Sequence, residues 1–405
     1  MTQYRIERLG HHGDGIAEGP LFAPLTLPGE EVTGTVDGTR LTNVKIVTPS
    51  EDRVAAPCSH FKSCGGCQLQ HASDAFVAEY KVNIVKTALA SHGLSAEMRP
   101  CLTSPRASRR RASFSVKRTK SGAMSGFHAR ASDILIETPN CLLVAPEILA
   151  ARPIIEAIAC VGGSRKAELT ATVTLSNAGL DIAFSGGKPL DGALRISLAH
   201  ETEKHGVARL AWDDEVIAMR HPPSQTFGAA KVVPPAGSFL QATAEGERDL
   251  LETVKEIVGP AARIVDLFSG CGTFSLPLAQ SAEVHAVEGQ AEMVQALDAG
   301  WRQAIGLKKV THEARDLFRR PLMPDELKKF DAAVIDPPRA GAEAQIAELA
   351  ISKIKVIAYV SCNPVTFARD AATLEAHGYS LEFVQTVDQF RWSSHTELVA
   401  KFVKA

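Results

Sequence analysis

The chain has 405 residues, 45% of them hydrophobic and 22% charged, with a formal net charge of −2. That length supports two or three domains with their own cores, and the composition is that of an ordinary soluble protein. Near-neutral charge argues against a globally cationic nucleic-acid binder, while leaving room for a local basic groove. The opening MTQYRIERLG has no apolar signal core, and the most apolar region, Leu142 to Val161, is broken by Glu147, Arg152, Pro153 and Glu156. A cytoplasmic chain without a membrane span is expected. In that compartment eight cysteines point to metal binding or catalysis before disulfides.

Residues 4 to about 48 carry short β-like runs with Gly and Pro at the turns, which predicts a small β-barrel. A connector at Pro49–Pro57 leads into CSHFKSCGGC, where Cys58, Cys64 and Cys67 stand in a Cys-x5-Cys-x2-Cys arrangement. Three close thiolates need a fourth ligand, with Cys101, Cys141 and Cys160 available. Cys141 follows the turn signal Pro139-Asn140, which presents a thiol from a loop. Spacing alone is compatible with either a four-cysteine zinc site or an iron–sulfur cluster. The apolar spacing of Phe76, Tyr80, Ile84, Val85 and Leu89 predicts a helix over Asp74–His92, ending at Gly93.

Arg106, Arg109, Arg110, Arg111, Lys117, Arg118 and Lys120 follow within one short stretch that has no acidic residue until Asp133. They alternate with Ala112, Phe114 and Val116, so the stretch reads as a strand with one buried and one cationic side, suited to phosphate binding. From Ile134 to about Val233 the pattern is mainly β and holds no motif with obvious chemistry. Pro222-Pro223 and Pro234-Pro235 punctuate its end and place a domain boundary near Val233.

Beyond that boundary, apolar strands alternate with helical patterns, which specifies a parallel doubly wound sheet closed by two β runs with no helix between them. Asp266 to Phe274, DLFSGCGTF, sits at the first strand-to-helix turn, the usual nucleotide crevice. Gly270 and Gly272 permit close backbone approach, but there is no dinucleotide or phosphate-loop spacing. A zwitterionic ligand end fits better, with Asp266 meeting an ammonium, Glu288 the ribose hydroxyls and Asp316 an adenine amine. Together these describe an S-adenosylmethionine site. Asp336 is held by a stiff Pro337-Pro338 turn at the fourth strand end. Cys362 follows the strand VIAYV and precedes Pro364, the first-turn residue of a helix whose free N–H groups favour a thiolate. It is a candidate nucleophile.

This set of motifs resembles the RNA uridine-5-methyltransferases, in particular the iron–sulfur branch acting on ribosomal RNA. The most specific matches are DPPRAG at Asp336 and SCNP at Cys362, with His395-Thr396-Glu397 similar to the family's final motif. HHGDGIAEG with LPGEEV looks like a shortened TRAM barrel. The resemblance implies a 4Fe-4S cluster on Cys58, Cys64, Cys67 and Cys141, and an RNA-facing segment at Arg109–Arg111, to which the charge run adds Lys117 and Arg118 as RNA-binding candidates. It also implies Gln241, Phe268 and Thr273 as further cofactor ligands, with Asp336 beside the cofactor. The expected organisation is a TRAM-like RNA-binding barrel over 1–52, a β-rich iron–sulfur domain over 53–235, and a Rossmann-like methyltransferase domain over 236–405.

Uracil C5 is a poor nucleophile, so a thiolate must first add to C6; the family's chemistry implies Cys362 for this step. Asp336 would hold the base edge or assist protonation of the ring, and Glu397 would remove the C5 proton. The uridine must leave its stack, so a single-stranded or loop target is expected, in 23S ribosomal RNA or, as the alternative, in transfer RNA. An amine or cytosine methyltransferase and a non-catalytic RNA-binding protein that keeps the fold are rival readings. A monomer is expected, since no sustained heptad asks for a partner.

Overall fold

The computed structural model describes residues 2–404. The N-terminal strands Gln3–Leu9, Gly15–Ala17, Leu21–Ala23, Glu31–Asp37 and Arg40–Thr48 close into a barrel around Ile6, Ala17, Ala23, Val32 and Leu41. So small a core gains rigidity from its base, where the fully buried Glu30 carboxylate accepts from the Leu27 N–H at 2.8 Å and pairs with Arg53 of the connector. The motif Cys58–Cys67 then leads into helix Asp74–Ala90, whose N-cap Ser73 Oγ accepts from the Phe76 N–H at 3.1 Å.

The middle of the chain forms a seven-stranded sheet, with Glu168–Ser176 central, Arg111–Arg118 next to it, and helices Arg152–Gly162 and Gly192–Lys204 beside it. Alternation along Arg111–Arg118 buries Ala112, Phe114 and Val116 against a core that includes Ile155, Val173, Phe184 and Trp212.

The C-terminal region builds an eight-stranded sheet. Its order is Val310–Ala314, Glu283–Glu288, Arg263–Leu267, Ala332–Ile335, Val356–Ser361, Glu397–Lys404, Tyr379–Asp388 and Glu97–Thr103. The first five strands run parallel, and Glu397–Lys404 turns antiparallel between Val356–Ser361 and Tyr379–Asp388. Order reverses at Arg263–Leu267, so the switch-point crevice opens over Asp266 and the neighbouring strand ends.

The eighth strand corrects the expected domain division. Glu97–Thr103 lies within the stretch assigned to the central domain, yet it pairs in parallel with Tyr379–Asp388, and Val85 and Leu89 of the preceding helix pack in the methyltransferase core. At the other boundary, Phe227, Ala230 and Val232 of the hairpin Gln225–Phe227/Ala230–Val232 pack in the same sheet's second core. A division at 53 and 235 therefore does not follow the packing. Pairing across so long a sequence separation leaves no local trace. Among the described residues, no helix is long and apolar enough to cross a membrane.

Candidate active site

Three strand ends meet at one point. Val356–Ser361 delivers Cys362, and the next residue, Asn363, caps helix Pro364–Ala376 through its Oδ1, which accepts from the Val365 N–H at 3.1 Å. Antiparallel pairing of Ser361 with Leu398 sets Glu397 beside Cys362, and parallel pairing of Ile335 with Tyr359 brings Asp336 to the same edge. Glu397 is 4% exposed. Burial, reinforced by the charge of Asp336, pushes its carboxyl up to about 8, against the pull of Arg339, a Gln389 hydrogen bond and Lys81. Burial, with Asp266 and Glu288, pushes Asp336 up to about 7.

The Cys362 thiol is also raised, to about 11, first by burial and then by the charges of Glu397 and Asp336, with Arg339 opposing. This corrects the expectation that the helix N-terminus favours a thiolate: burial, with the two carboxylates added to it, favours the neutral thiol. Arg339, not foreseen as a site residue, also reaches His395 Nδ1 at 3.2 Å and presents its carbonyl to Asn363 Nδ2 at 2.9 Å. It was hidden in the DPPRAG run because its role comes from the loop opposite.

The glycine turn lies next to these residues. Asp266 is fully buried; its Oδ2 accepts from Ser275 Oγ at 2.5 Å, while its Oδ1 and the nearby Ser269 Oγ have no partner. Burial drives Asp266 up to about 7. An unpartnered buried acceptor of this kind suits the ammonium of S-adenosylmethionine. Gly270 has φ +55° and a Cβ there would meet open space, whereas a Cβ on Gly272 would lie 2.8 Å from Leu276. Gly270 thus leaves room for a ligand and Gly272 serves the helix packing. Glu288 accepts from the N–H groups of Gly270 and Gln290 at 3.1 and 3.0 Å, which aims its carboxylate over the turn.

Phe268, at φ +62°, faces Phe318 with ring centroids 5.4 Å apart, and Asp316 accepts from the Phe318 N–H at 2.9 Å. Phe318 is a second residue that sequence reasoning missed: a lone exposed Phe after a strand carries no signal. Thr273 lies in the turn itself. Gln241 is buried and accepts from Gln389 Nε2 at 2.6 Å.

A groove of about 870 Å³ runs from Arg8 and His11 of the barrel, past Phe76 and Tyr80, to Arg339 and Cys362. The Phe76 and Tyr80 rings lie nearly parallel, 6.4 Å apart. A second groove of about 580 Å³, lined by His12, Arg40, His128 and Arg130, shares Ser394 and His395 with the first.

The arginine run does not line this path. Arg109 donates to the Arg111 carbonyl at 3.2 Å, Arg110 pairs with Glu247 and donates to the Gln241 carbonyl at 3.1 Å, and Arg111 donates to the Gly237 carbonyl at 3.0 Å. Arg110 and Arg111 reach acceptors across the seam between the central sheet and the methyltransferase region, and Arg109 and Arg111 line the cavity shared by the four cysteines, which sets the run away from this groove. Lys117 pairs with Glu168 at 3.5 Å and Arg118 donates to the Gly163 carbonyl at 3.1 Å, both on the central sheet.

Cys58, Cys64, Cys67 and Cys141 line one cavity of about 260 Å³, while Cys101 lies on strand Glu97–Thr103 and Cys160 on helix Arg152–Gly162. Among the described residues, no group of three metal-ligating side chains converges closely enough to hold a single metal ion.

A sequence description of the tRNA (uracil-5-)-methyltransferase family matches residues 232–403. An uncharacterized RNA methyltransferase of Rhizobium meliloti is 44% identical, covering 98% of both chains. The 23S rRNA (uracil(1939)-C(5))-methyltransferase RlmD of Shewanella piezotolerans is 31% identical, covering 98% of this chain and 94% of its own. The same fold occurs in the Pyrococcus abyssi tRNA (uracil-54, C5)-methyltransferase in complex with S-adenosyl-L-homocysteine, at a TM-score of 0.76 and 22% identity, covering 99% of each chain. With the strand-end site and these likenesses together, the chain belongs to the RNA uracil-5-methyltransferase family, enzymes that take their methyl group from S-adenosylmethionine.

Proposed function

We propose that the protein methylates C5 of one uridine in 23S ribosomal RNA through a covalent bond between Cys362 and uracil C6. The observation that carries this reading is the meeting of Cys362, Asp336 and Glu397 at adjacent strand ends beside the cofactor turn. Asp266, Glu288, Asp316, Gln241, Phe268, Gly270 and Thr273 would hold the cofactor, which supplies an electrophilic methyl group and a positive charge against the site's carboxylates. Cys362 loses its thiol proton to solvent, with Arg339 favouring the charged form, and adds as thiolate to C6, moving negative charge toward C5 and O4. Asp336, with its raised pKa, donates a hydrogen bond to the base edge. After C5 has taken the methyl group, Glu397 as carboxylate removes the C5 proton and the C6–S bond breaks. The continuous groove from barrel to Cys362 suits a single RNA strand with one base turned out of its stack, and Phe76 with Tyr80 offers a stacking surface. The barrel acts as a TRAM-like RNA-binding module on this path.

Cys58, Cys64, Cys67 and Cys141 would hold a 4Fe-4S cluster, which supplies structural cross-linking and no electron to this reaction. The lining of one cavity by all four cysteines supports a shared site for them. Anaerobically purified protein is expected to carry about four irons and four sulfides per chain, lost in Cys141→Ala; stoichiometric zinc in place of iron would overturn the cluster assignment.

The activity is tested by incubating the protein with S-adenosylmethionine and, separately, 23S ribosomal RNA and transfer RNA transcribed in vitro, then digesting each RNA for nucleoside mass spectrometry. 5-Methyluridine in the ribosomal transcript alone is expected. Its appearance only in transfer RNA moves the substrate to the alternative, and an N-methylated base sinks the C5 reading.

A further inference from the structure

Helix Asp74–Ala90 buries one ammonium completely. Lys81 and Asp388 have no exposed side-chain surface and pair with each other. Lys81 Nζ also donates to the carbonyls of Phe390 at 3.1 Å and His395 at 2.7 Å. Burying an ammonium is costly unless it is paired and hydrogen-bonded. Here all its acceptors belong to one feature, the loop Gln389–Thr396 and its first anchor Asp388. That loop joins strands Tyr379–Asp388 and Glu397–Lys404, and its last residue hands the chain to Glu397.

The loop is also held in the middle. The N–H groups of Gln68 and Leu69, directly after Cys67, donate to the Trp392 carbonyl at 2.8 and 2.9 Å. Arg391 pairs with Asp74 at the start of the same helix and donates to the Ser104 carbonyl at 3.1 Å. Trp392 has φ +60° and is 1% exposed. A bulky residue keeps that left-handed conformation only where its surroundings over-determine it. The path of the chain into Glu397 is thus set by residues outside the methyltransferase motifs, with Lys81 grasping it near both ends.

We propose that Lys81 is a positioning residue for proton removal: by fixing the loop Gln389–Thr396 it sets the Glu397 carboxylate against the uracil C5 proton. This rests on the covalent mechanism proposed above. In the step concerned, the C5–H bond breaks and its proton passes to Glu397. The electron pair left at C5 forms the C5–C6 double bond, and the C6–S bond breaks with its pair returning to Cys362. Addition and methyl transfer depend on Cys362, which rides on strand Val356–Ser361 and helix Pro364–Ala376, to which Lys81 makes no hydrogen bond.

The test uses the full-length protein as wild type, Lys81→Met, and the double variant Lys81→Met/Asp388→Asn, which removes the ammonium without stranding a buried carboxylate. Each is mixed with ordinary 23S ribosomal RNA transcript and S-adenosylmethionine. Denaturing gels with mass spectrometry read the methylated RNA–protein adduct, and a single-turnover assay reads methyl transfer. The adduct fraction should rise about tenfold in the double variant while methyl transfer stays within about threefold of wild type, as for a weakened base. Where Lys81→Met fails to fold, the double variant carries the comparison alone. Wild-type adduct levels in the double variant, or equal losses in addition and elimination, would overturn the role of Lys81. Wild-type protein that forms no adduct even with 5-fluorouridine RNA would instead remove the covalent mechanism.

Discussion

The carboxyl edge of the eight-stranded sheet and the seam at Arg109–Arg111 both concentrate like charge, and they handle it in opposite ways. In the seam, every guanidinium of the run donates to a protein acceptor: the Arg111 carbonyl, Glu247 with the Gln241 carbonyl, and the Gly237 carbonyl. At the sheet edge, Asp266, Asp336 and Glu397 have no ion-pair partner among the described residues, and Asp266 Oδ1 has no partner at all. Guanidiniums hydrogen-bonded within the protein, with Arg110 also ion-paired, hold parts together; buried carboxylates with no ion-pair partner wait for a ligand. Composition alone would have assigned function to both.

The largest effect that would break this contrast is at the sheet edge. Glu397→Gln should lower turnover on the order of 10³-fold and leave methylated RNA bound to the protein, read by mass spectrometry. Unchanged turnover would remove Glu397 as the base. In the seam, Arg110→Met strands the buried Glu247 carboxylate, whose pKa is already raised by burial against the pull of Arg110. It should cost about 3 kcal/mol in denaturant unfolding while RNA affinity of the folded protein is unchanged. A stable variant with weak RNA binding would return this residue to the RNA path.

A third consequence is in pH. Asp266 and Asp336 are raised to about 7 and Glu397 to about 8, so in the folded protein all three hold protons more tightly than when unfolded. Their contribution is full below the unfolded values near 4 and is lost as pH rises through 7 to 8. The Tm of the ligand-free protein should therefore fall by about 5 °C between pH 5 and pH 8, and saturating S-adenosylmethionine should reverse most of that fall. A Tm that rises over this range contradicts the reading. The smallest effects are on the surface. Arg8→Ala, in the groove, should reduce the salt slope of RNA binding by about one, whereas Lys117→Ala should leave it unchanged.

Where physics is local, the sequence was legible. The barrel, the parallel strands, the glycine turn and Cys362 at a strand end all follow from period, turn residues and a change of pattern within short windows. The gathering of Cys141 with the three earlier cysteines was suggested by a turn signal and a family spacing. What was hidden depends on distant partners. Glu97–Thr103 joins a strand nearly three hundred residues away, with Pro100 inside it obscuring its strand character. Lys81 looks like any polar position on an amphipathic helix until Asp388 and the loop close over it. The arginine run misled because strand alternation gives the buried side but not whether the other side meets solvent or a second domain.

The central claim is the covalent bond between Cys362 and uracil C6. It is tested by mixing wild-type protein and Cys362→Ala with 23S ribosomal RNA transcript containing 5-fluorouridine, in the presence of S-adenosylmethionine, and recording intact masses of protein–RNA species. Fluorine cannot leave as a proton, so wild-type protein should stall as a methylated adduct and Cys362→Ala should form none. Free wild-type protein, despite bound cofactor and RNA, or an adduct that persists in Cys362→Ala, would contradict it.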